Sequence, residues 1–339
     1  MELIQNIKGQ LIGQIKSSGI TRITKENLVN LIDGFKIWTQ DNRVLSAKEK
    51  DALFIELSSH YVADLNYDNQ NLRAAMTADM KYWLQKESID GFRCDMAHLV
   101  PLDFWKEART HCDIIKPLFW LAECENANYH PTFDASYAWD WMHISEKLNQ
   151  CQVGMNEVYH VLEGYLHYPS GALKLFFTSN HDENSWNGTE YEKYGIAAKS
   201  WAVFTHTWKG LPLIYSGQEL PNHQRLQFFD KDCIAWGNEL ALHHFYKTLS
   251  HCRKQYPALI NGATYNLPTQ SNRVMAYLRY DANQVLLIVL NLSNEIQKIS
   301  FSHELLAGSF INVFSGLAFS FDKEVSFELM PGDYFLYVK

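Results

Sequence analysis

Residues 89–95, Ile89-Asp90-Gly91-Phe92-Arg93-Cys94-Asp95, read as a short apolar strand that ends in charges. Side chains alternate across a strand, so Arg93 and Asp95 share one face while Phe92 and Cys94 share the other. The same design recurs downstream. Leu118–Glu123 is a second apolar strand ending in a carboxylate, and Leu173–Thr178 is a third, followed by Ser179-Asn180-His181-Asp182-Glu183. Leu211–Tyr215 is a fourth, running into Ser216-Gly217-Gln218-Glu219, and Asp134–Ser136 reads as one more short strand. Helical stretches lie between them, among them Leu102–His111 and Ile196–Trp208. A helix over Leu72–Lys86 precedes the first strand, with Asn69 or Asn71 as its cap and Met76, Met80, Trp83 and Leu84 on its apolar face. Short apolar strands alternating with helices predict a parallel sheet, open or closed into a barrel. In a barrel the strand C-termini converge on one face. Asp95, Glu123 and Asp182, far apart in sequence, are therefore expected to meet in space.

Outside this core the pattern changes. Residues 1–60 carry apolar residues at helical spacing, such as Leu3, Ile4, Ile7 and Leu11, and predict an N-terminal helical segment. After a helix at about Glu239–Tyr256, the stretches Val274–Tyr280, Val285–Leu292, Lys298–Phe301, Phe310–Asn312 and Tyr334–Val338 alternate with polar turns. Asp281-Ala282-Asn283 marks a hairpin turn. The expected organisation is a helical segment over 1–60, a partial barrel over 61–260 and an antiparallel β-sandwich over 261–339.

Composition excludes several partners. The formal net charge of −8 argues against nucleic acid and anionic membranes, since both need basic surface. No apolar run is long enough for a transmembrane helix. The opening residues are broken by Lys8, Gln10, Gln14 and Lys16, so a cytoplasmic location is expected if Met1 is the true start. The six cysteines show no zinc-type spacing and are expected as buried free thiols. Aromatic residues make up 14% of the chain, which fits a well-packed core or a sugar site where flat rings cover apolar sugar faces.

The strand ends carry the chemistry. A single carboxylate there is often just a cap for the next helix, but three in distinctive contexts point to a site. Arg93 beside Asp95 favours an ionised carboxylate, as a nucleophile requires, or else forms a structural ion pair. Glu123 emerges from the apolar run Phe119-Trp120-Leu121-Ala122, and desolvation there would raise its pKa, as suits a general acid. Glu125 is a weaker rival, expected in a helix-capping or solvated role. His181 and Asp182 together can bind adjacent sugar hydroxyls.

In this order, GFRCD, FWLAE and SNHDE resemble three of the four signature blocks of the α-amylase family, glycoside hydrolase family 13. VADLNYDNQNLRAAMTADMKYWL, GLPLIYSGQE and RLQFFDKDCIAW also resemble family text, so the likeness covers about residues 61–339. It implies a retaining hydrolase acting on α-glucosidic bonds of starch and maltooligosaccharides through a covalent glycosyl-enzyme. Carried over residue by residue, Asp95 is the nucleophile, Glu123 the acid/base and Asp182 the transition-state stabiliser; Arg93 supports Asp95 and His181 contacts the sugar. Many family members carry Lys-His at the third and fourth positions after the nucleophile; here these are His98 and Leu99, and His98 is assigned to the acceptor side.

The first signature block, an Asp followed by Asn-His, has no counterpart between Met1 and Tyr61. The resemblance therefore implies about strands four to eight of a (β/α)8 barrel, with a calcium site expected in the missing region and no other cofactor. Such a sheet would expose edges and favour self-association. Lacking one wall, the site is expected to turn over poorly, because its groups would lose their positioning and Glu123 its raised pKa. Two alternatives stay open: a glucosyl transferase or isomerase using the same intermediate, and a non-catalytic carbohydrate-binding or interaction protein on an amylase-derived scaffold.

Overall fold

A computed structural model describes residues 65–237 and 239–339. The helical segment expected over 1–60 and the place of the missing signature block lie outside them. The chain divides into two compact units, Met1–Asp79 and Met80–Lys339.

In the first unit the described residues lead into helix α1 (Gln70–Lys86). Asn69, rather than Asn71, caps it: its Oδ1 accepts the amides of Asn71 at 3.0 Å and Leu72 at 3.4 Å, which satisfies two otherwise orphaned donors. Further along α1, Leu84 is buried but Trp83 is 52% exposed, so the predicted apolar face is narrower than its sequence.

The second unit begins with five parallel strands: β1 (Gly91–Cys94), β2 (Phe119–Ala122), β3 (Ala135–Tyr137), β4 (Leu173–Phe176) and β5 (Leu211–Pro212). They lie side by side in chain order. The register sets Arg93 against Leu121, Ala122 against Ser136 and Leu175 against Leu211. Helices separate them, including α2 (Leu102–Asp113), α3 (Trp139–Asn149) and α4 (Met155–Gly164). Sequential parallel strands with intervening helices form a partial (β/α) barrel among the described residues. The fifth strand is shorter than its apolar run because the Tyr215 amide donates at 2.6 Å to the Gln218 side chain instead of to a neighbouring strand.

Much of the aromatic content fills this core. Trp141 of α3 stacks on Phe204 (centroids 5.0 Å apart) and meets Trp201 edge-on, both rings coming from the helix Ala198–Thr207.

The C-terminal region holds β6 (Ala263–Asn266), β7 (Val274–Tyr280), β8 (Val285–Asn291), β9 (Gln297–Ser302), β10 (Gly308–Asn312), β11 (Ala318–Phe321), β12 (Glu324–Leu329) and β13 (Tyr334–Val338). Six of them form an antiparallel sheet ordered β11-β10-β13-β8-β7-β6, and β12 pairs with β9. The unbroken apolar runs of β7 and β8 follow from burial on both faces. Val274, Ala276, Leu278, Leu287 and Val289 pack with Ile299, Phe301 and Leu329 of the smaller sheet. Met275, Tyr277, Leu286 and Ile288 turn instead toward the barrel core with Trp201 and Phe204. Polar ties join the two layers: Arg273 donates to Val153 O at 3.0 Å, and the Thr207 hydroxyl meets that of Tyr277 at 2.6 Å. The hairpin forms as expected, with Asp281 Oδ1 accepting the amides of Asn283 and Gln284.

All six cysteines are free, but Cys151 and Cys233 are exposed, not buried as expected; Cys151 lies in a turn and Cys233 in an irregular loop, outside the apolar elements. Among the described residues no helix is long and apolar enough to cross a membrane.

Gly91 opens β1 where a Cβ would run into the backbone of Phe119 on β2. Gly91→Ala should push the two strands apart and cost about 1–3 kcal/mol, as overpacking does. Gly164, whose added Cβ would meet open space, is the control. Urea denaturation should show a lowered midpoint for Gly91→Ala and an unchanged or raised one for Gly164→Ala.

Candidate active site

The parallel ladder delivers two carboxylates to one point. Asp95 follows the last residue of β1 and Glu123 the last residue of β2, the Glu123 amide still bonding to Cys94 O at 3.0 Å. Arg93 bridges them: Nη2 lies 2.9 Å from Glu123 Oε1 and Nη1 contacts Asp95 Oδ1. Its Nε donates to the Tyr137 hydroxyl at 3.3 Å, so one guanidinium touches the C-terminal ends of β1, β2 and β3. The shared face read from strand alternation brings Arg93 and Asp95 together as expected.

Glu123 and Asp95 differ in environment. Glu123 is buried, whereas the Asp95 side chain is 74% exposed. Burial pushes the Glu123 carboxyl up from its ordinary value, and the charges of Asp95 and Asp182 add to the rise. The Met96 amide, 2.8 Å from Oε2, and the Arg93 charge pull the other way, yet the net direction is upward. The expectation that Glu123 would lose its raised pKa is therefore overturned: burial outweighs the two donors. Met96 points its amide at Glu123 from a left-handed conformation (φ 41°), which costs a non-glycine residue about 1 kcal/mol.

Asp182 arrives from β4. Asn180 caps the short helix α5 (His181–Trp186), its Oδ1 accepting the amides of Asp182 at 2.9 Å and Glu183 at 2.7 Å. His181 Nε2 lies 3.4 Å from Asp182 Oδ2. Beneath this loop Thr178 donates to the buried Glu190 at 2.7 Å, and Gln218 donates to Thr178 at 2.7 Å and to Glu190. The turn after β5 is thereby fastened to the loop that carries Asp182.

His98 sits on the one-turn 3₁₀ helix Ala97–Leu99. With Met96, Glu123, Glu125, Asn126 and Trp139 it lines an open cavity of about 600 Å³. A second cleft of about 490 Å³, between α4 and the loop joining β6 to β7, holds none of the three carboxylates.

Glu125 is mostly covered and ion-paired rather than freely solvated, which corrects half of its expected role. Its Oε2 accepts the Trp139 amide at 2.5 Å and so caps α3 from outside the helix. Its Oε1 pairs at 3.0 Å with Lys174 of β4. Lys174 in turn lies 4.7 Å and 4.8 Å from the ring centres of Tyr165 and Tyr168 and donates to Ser136 at 2.9 Å. Trp139 stacks on Tyr137, which meets Arg93. Sequence reading missed Tyr137, Lys174 and Gln218. Tyr137 closes the third strand one residue past the segment read as Asp134–Ser136, and that place in the strand was the available signal. Among the described residues no group of three His, Cys, Asp or Glu side chains is arranged to hold a metal ion.

A partial barrel whose strand ends gather an Arg-bridged carboxylate pair and a His-Asp pair, followed by an antiparallel domain, is the arrangement that the resemblance to the α-amylase family implies. The comparisons agree. Residues 27–117 match the model of the alpha amylase catalytic domain, and residues 266–336 match that of the maltogenic amylase C-terminal domain. The alpha-amylase MalA of Haloarcula japonica is 30% identical over 69% of this chain and 36% of its own length. A cyclomaltodextrinase from Geobacillus thermopakistaniensis is 26% identical over 76% of this chain and 46% of its own. A noncanonic maltogenic alpha-amylase, AmyB from Thermotoga neapolitana, superposes with TM-score 0.72 at 27% identity, covering 81% of this chain and 67% of that one. The chain belongs to the α-amylase family. It spans less than two thirds of the length of the curated relatives it matches, 36% and 46% for the two named. The catalytic-domain match begins at residue 27, which corrects the reading that the likeness starts at about residue 61.

Two predictions follow from the buried polar groups. Lys174→Met would leave Glu125 buried without its partner and should destabilise the protein by about 3–5 kcal/mol, read from chemical denaturation. Burial, with help from the Lys174 charge, pulls His130 down from 6.5 to about 4, and burial does the same to His206. The unfolded chain then binds more protons than the folded one between those values, so stability falls as pH drops from 6.5 to about 4. Thermal melts across that window should show the fall, and a His130→Gln, His206→Gln variant should show a shallower one.

Proposed function

We propose that this chain is a retaining glycoside hydrolase acting on α-glucosidic bonds of starch-type glucans and maltooligosaccharides. The observation that carries the proposal is the Arg93-bridged pair, an exposed Asp95 beside a buried Glu123 whose pKa is raised. Two carboxyls in unlike environments can divide nucleophile and acid between them. Asp95, held by the Arg93 charge, attacks the anomeric carbon. Glu123 gives its proton to the leaving glycosidic oxygen and afterwards takes one from the water that frees the sugar. For this Glu123 must release Arg93 from Oε1, and Asp95 is the partner to which the guanidinium can shift. Asp182 and His181 would hold the sugar hydroxyls at the cleavage point, and His98 would meet the acceptor in the cavity it shares with Glu123. Transfer to a second sugar uses the same intermediate, with sugar in place of water. A cytoplasmic setting fits the reading too, since one relative is named an intracellular maltogenic amylase.

The test is turnover of maltooligosaccharides by this chain and two variants. Asp95→Asn should abolish it. Glu123→Gln should cut it on the order of a hundredfold to ten-thousandfold for natural linkages, and far less in the first step when the leaving group is activated and needs no proton. Activity should fall as pH rises through the Glu123 pKa, placing the alkaline limb above the ordinary glutamate range. Glucan binding without turnover would instead favour a binding protein.

A further inference from the structure

Glu190 and Lys193 are buried ionisable side chains that the proposed reaction does not use, 3% and 7% exposed. They lie three residues apart on the short helix α6 (Glu190–Tyr194), so they share one side of it. Side chains of these types are rarely buried unless paired. Their partners here stand at the two ends of one segment, residues 178–183, which brings His181 and Asp182 from β4 to the site.

Glu190 holds the near end. Its Oε2 accepts the Thr178 hydroxyl at 2.7 Å and also the side-chain amide of Gln218, whose own oxygen accepts the Tyr215 amide at 2.6 Å. The end of β4 and the turn after β5 thus meet at one buried carboxylate oxygen. Lys193 holds the far end. Its Nζ lies 3.2 Å from Glu183 Oε2 and 3.3 Å from Glu146 Oε1 of α3. Asn187 closes this cluster, its Nδ2 donating to Glu183 at 2.9 Å and to Glu146 at 2.8 Å. The helix that carries the lysine is itself anchored to α3: Asn149 Nδ2 donates to Lys193 O at 2.7 Å, and the Tyr194 hydroxyl meets that of Ser145 at 2.9 Å.

Stability alone is a poor account of this arrangement. A covered cation between two carboxylates carries a desolvation cost that well-packed apolar side chains would avoid. What it supplies is direction. Glu183 follows Asp182 directly in the chain, so a charged contact on Glu183 fixes the turn of α5 from which Asp182 projects. Asp182 needs such a hold. Its carboxylate meets His181 at 3.4 Å, but that neighbour rides on the same turn and moves with it. Its place in the barrel is therefore set by the backbone on either side, which is where Thr178 and Glu183 are held.

We propose that Glu190 and Lys193 are positioning residues for Asp182, gripping its loop from both ends so that the carboxylate stands where the transition state needs it. The proposal rests on the hydrolase reading of the carboxylate site. Both residues act through Thr178 and Glu183, not on substrate.

The experiment is steady-state turnover of maltoheptaose by the full chain, with rates counted per folded molecule from circular dichroism. Lys193→Met should lower kcat about a hundredfold, the effect of a misplacement of about 1 Å. KM should move less than about twofold, because the weakened contact is one made in the transition state. Glu190→Met should act in the same direction. Lys193→Arg keeps the charge and Glu190→Gln keeps the acceptor, so each should recover most of the lost kcat. Arg279→Met is the control for stability. Arg279 of β7 is also a buried cation, donating to the carbonyls of Ala258 and Leu259 at 3.0 Å, and its loss should lower the melting temperature with kcat unchanged. If Lys193→Met does not fold, Glu190→Met against Glu190→Gln decides by the same criterion. A kcat that falls no further than in Arg279→Met, or a change confined to KM, would overturn the positioning role and leave the hydrolase reading intact. Absence of turnover by the unaltered chain would overturn both together.

Discussion

The site depends on the Arg93 guanidinium. It is planar and permanently charged, with five donors in fixed directions, so it can engage several acceptors without losing its geometry. Here it engages Asp95, Glu123 and Tyr137, which belong to three consecutive strand ends. Take it away and the two carboxylates would repel one another without a counter-charge, with only the Met96 amide left to orient Glu123. A lysine could supply the charge at a single point only, whereas the fork fixes three. The guanidinium is thus both the counter-charge that lets the two acids coexist and the clamp that sets their spacing.

A second buried cation, Lys174, supports the first at a distance. Lys174 compensates Glu125, which accepts the first amide of α3 and so fixes Trp139. Trp139 stacks on Tyr137, and Tyr137 meets Arg93. The guanidinium on β1 is thus joined by successive contacts to a charge pair that reaches β4. A cation placed between two tyrosine rings is a costly device in desolvation, and Lys174 has its pKa pulled down by burial accordingly. In return, its charge offsets part of the rise that burial imposes on Glu125.

How much of this was legible in the sequence follows from which signals are local. Strand alternation is local, so the common face of Arg93 and Asp95 was legible. Burial of a residue emerging from Phe119–Ala122 is nearly local, so the direction of the Glu123 shift was too. The parallel sheet and the antiparallel region followed from apolar runs, and β7 and β13 match their expected limits. What failed was whatever depends on a distant partner. Glu125 looked solvated because nothing nearby reveals that Lys174 will lie beneath it. Strands β11 and β12 went unread because one is largely exposed and the other is half-covered only by its neighbour β9, leaving polar residues where an apolar run was sought. Helix α3 was missed because its cap comes from Glu125, not from the residue before it.

The same contrast separates the two aromatic populations. Trp141, Trp201 and Phe204 are fully buried and stack where apolar area alone would place them. Trp186, Phe228 and Phe229 are held out in water by Asn184 and Asp232, polar residues whose bonds all go to the loop backbone. Packing accounts for the first group without any ligand. It does not account for the second, because rings left to the hydrophobic effect fold inward, and keeping these in the solvent consumes a buried asparagine and a closed turn.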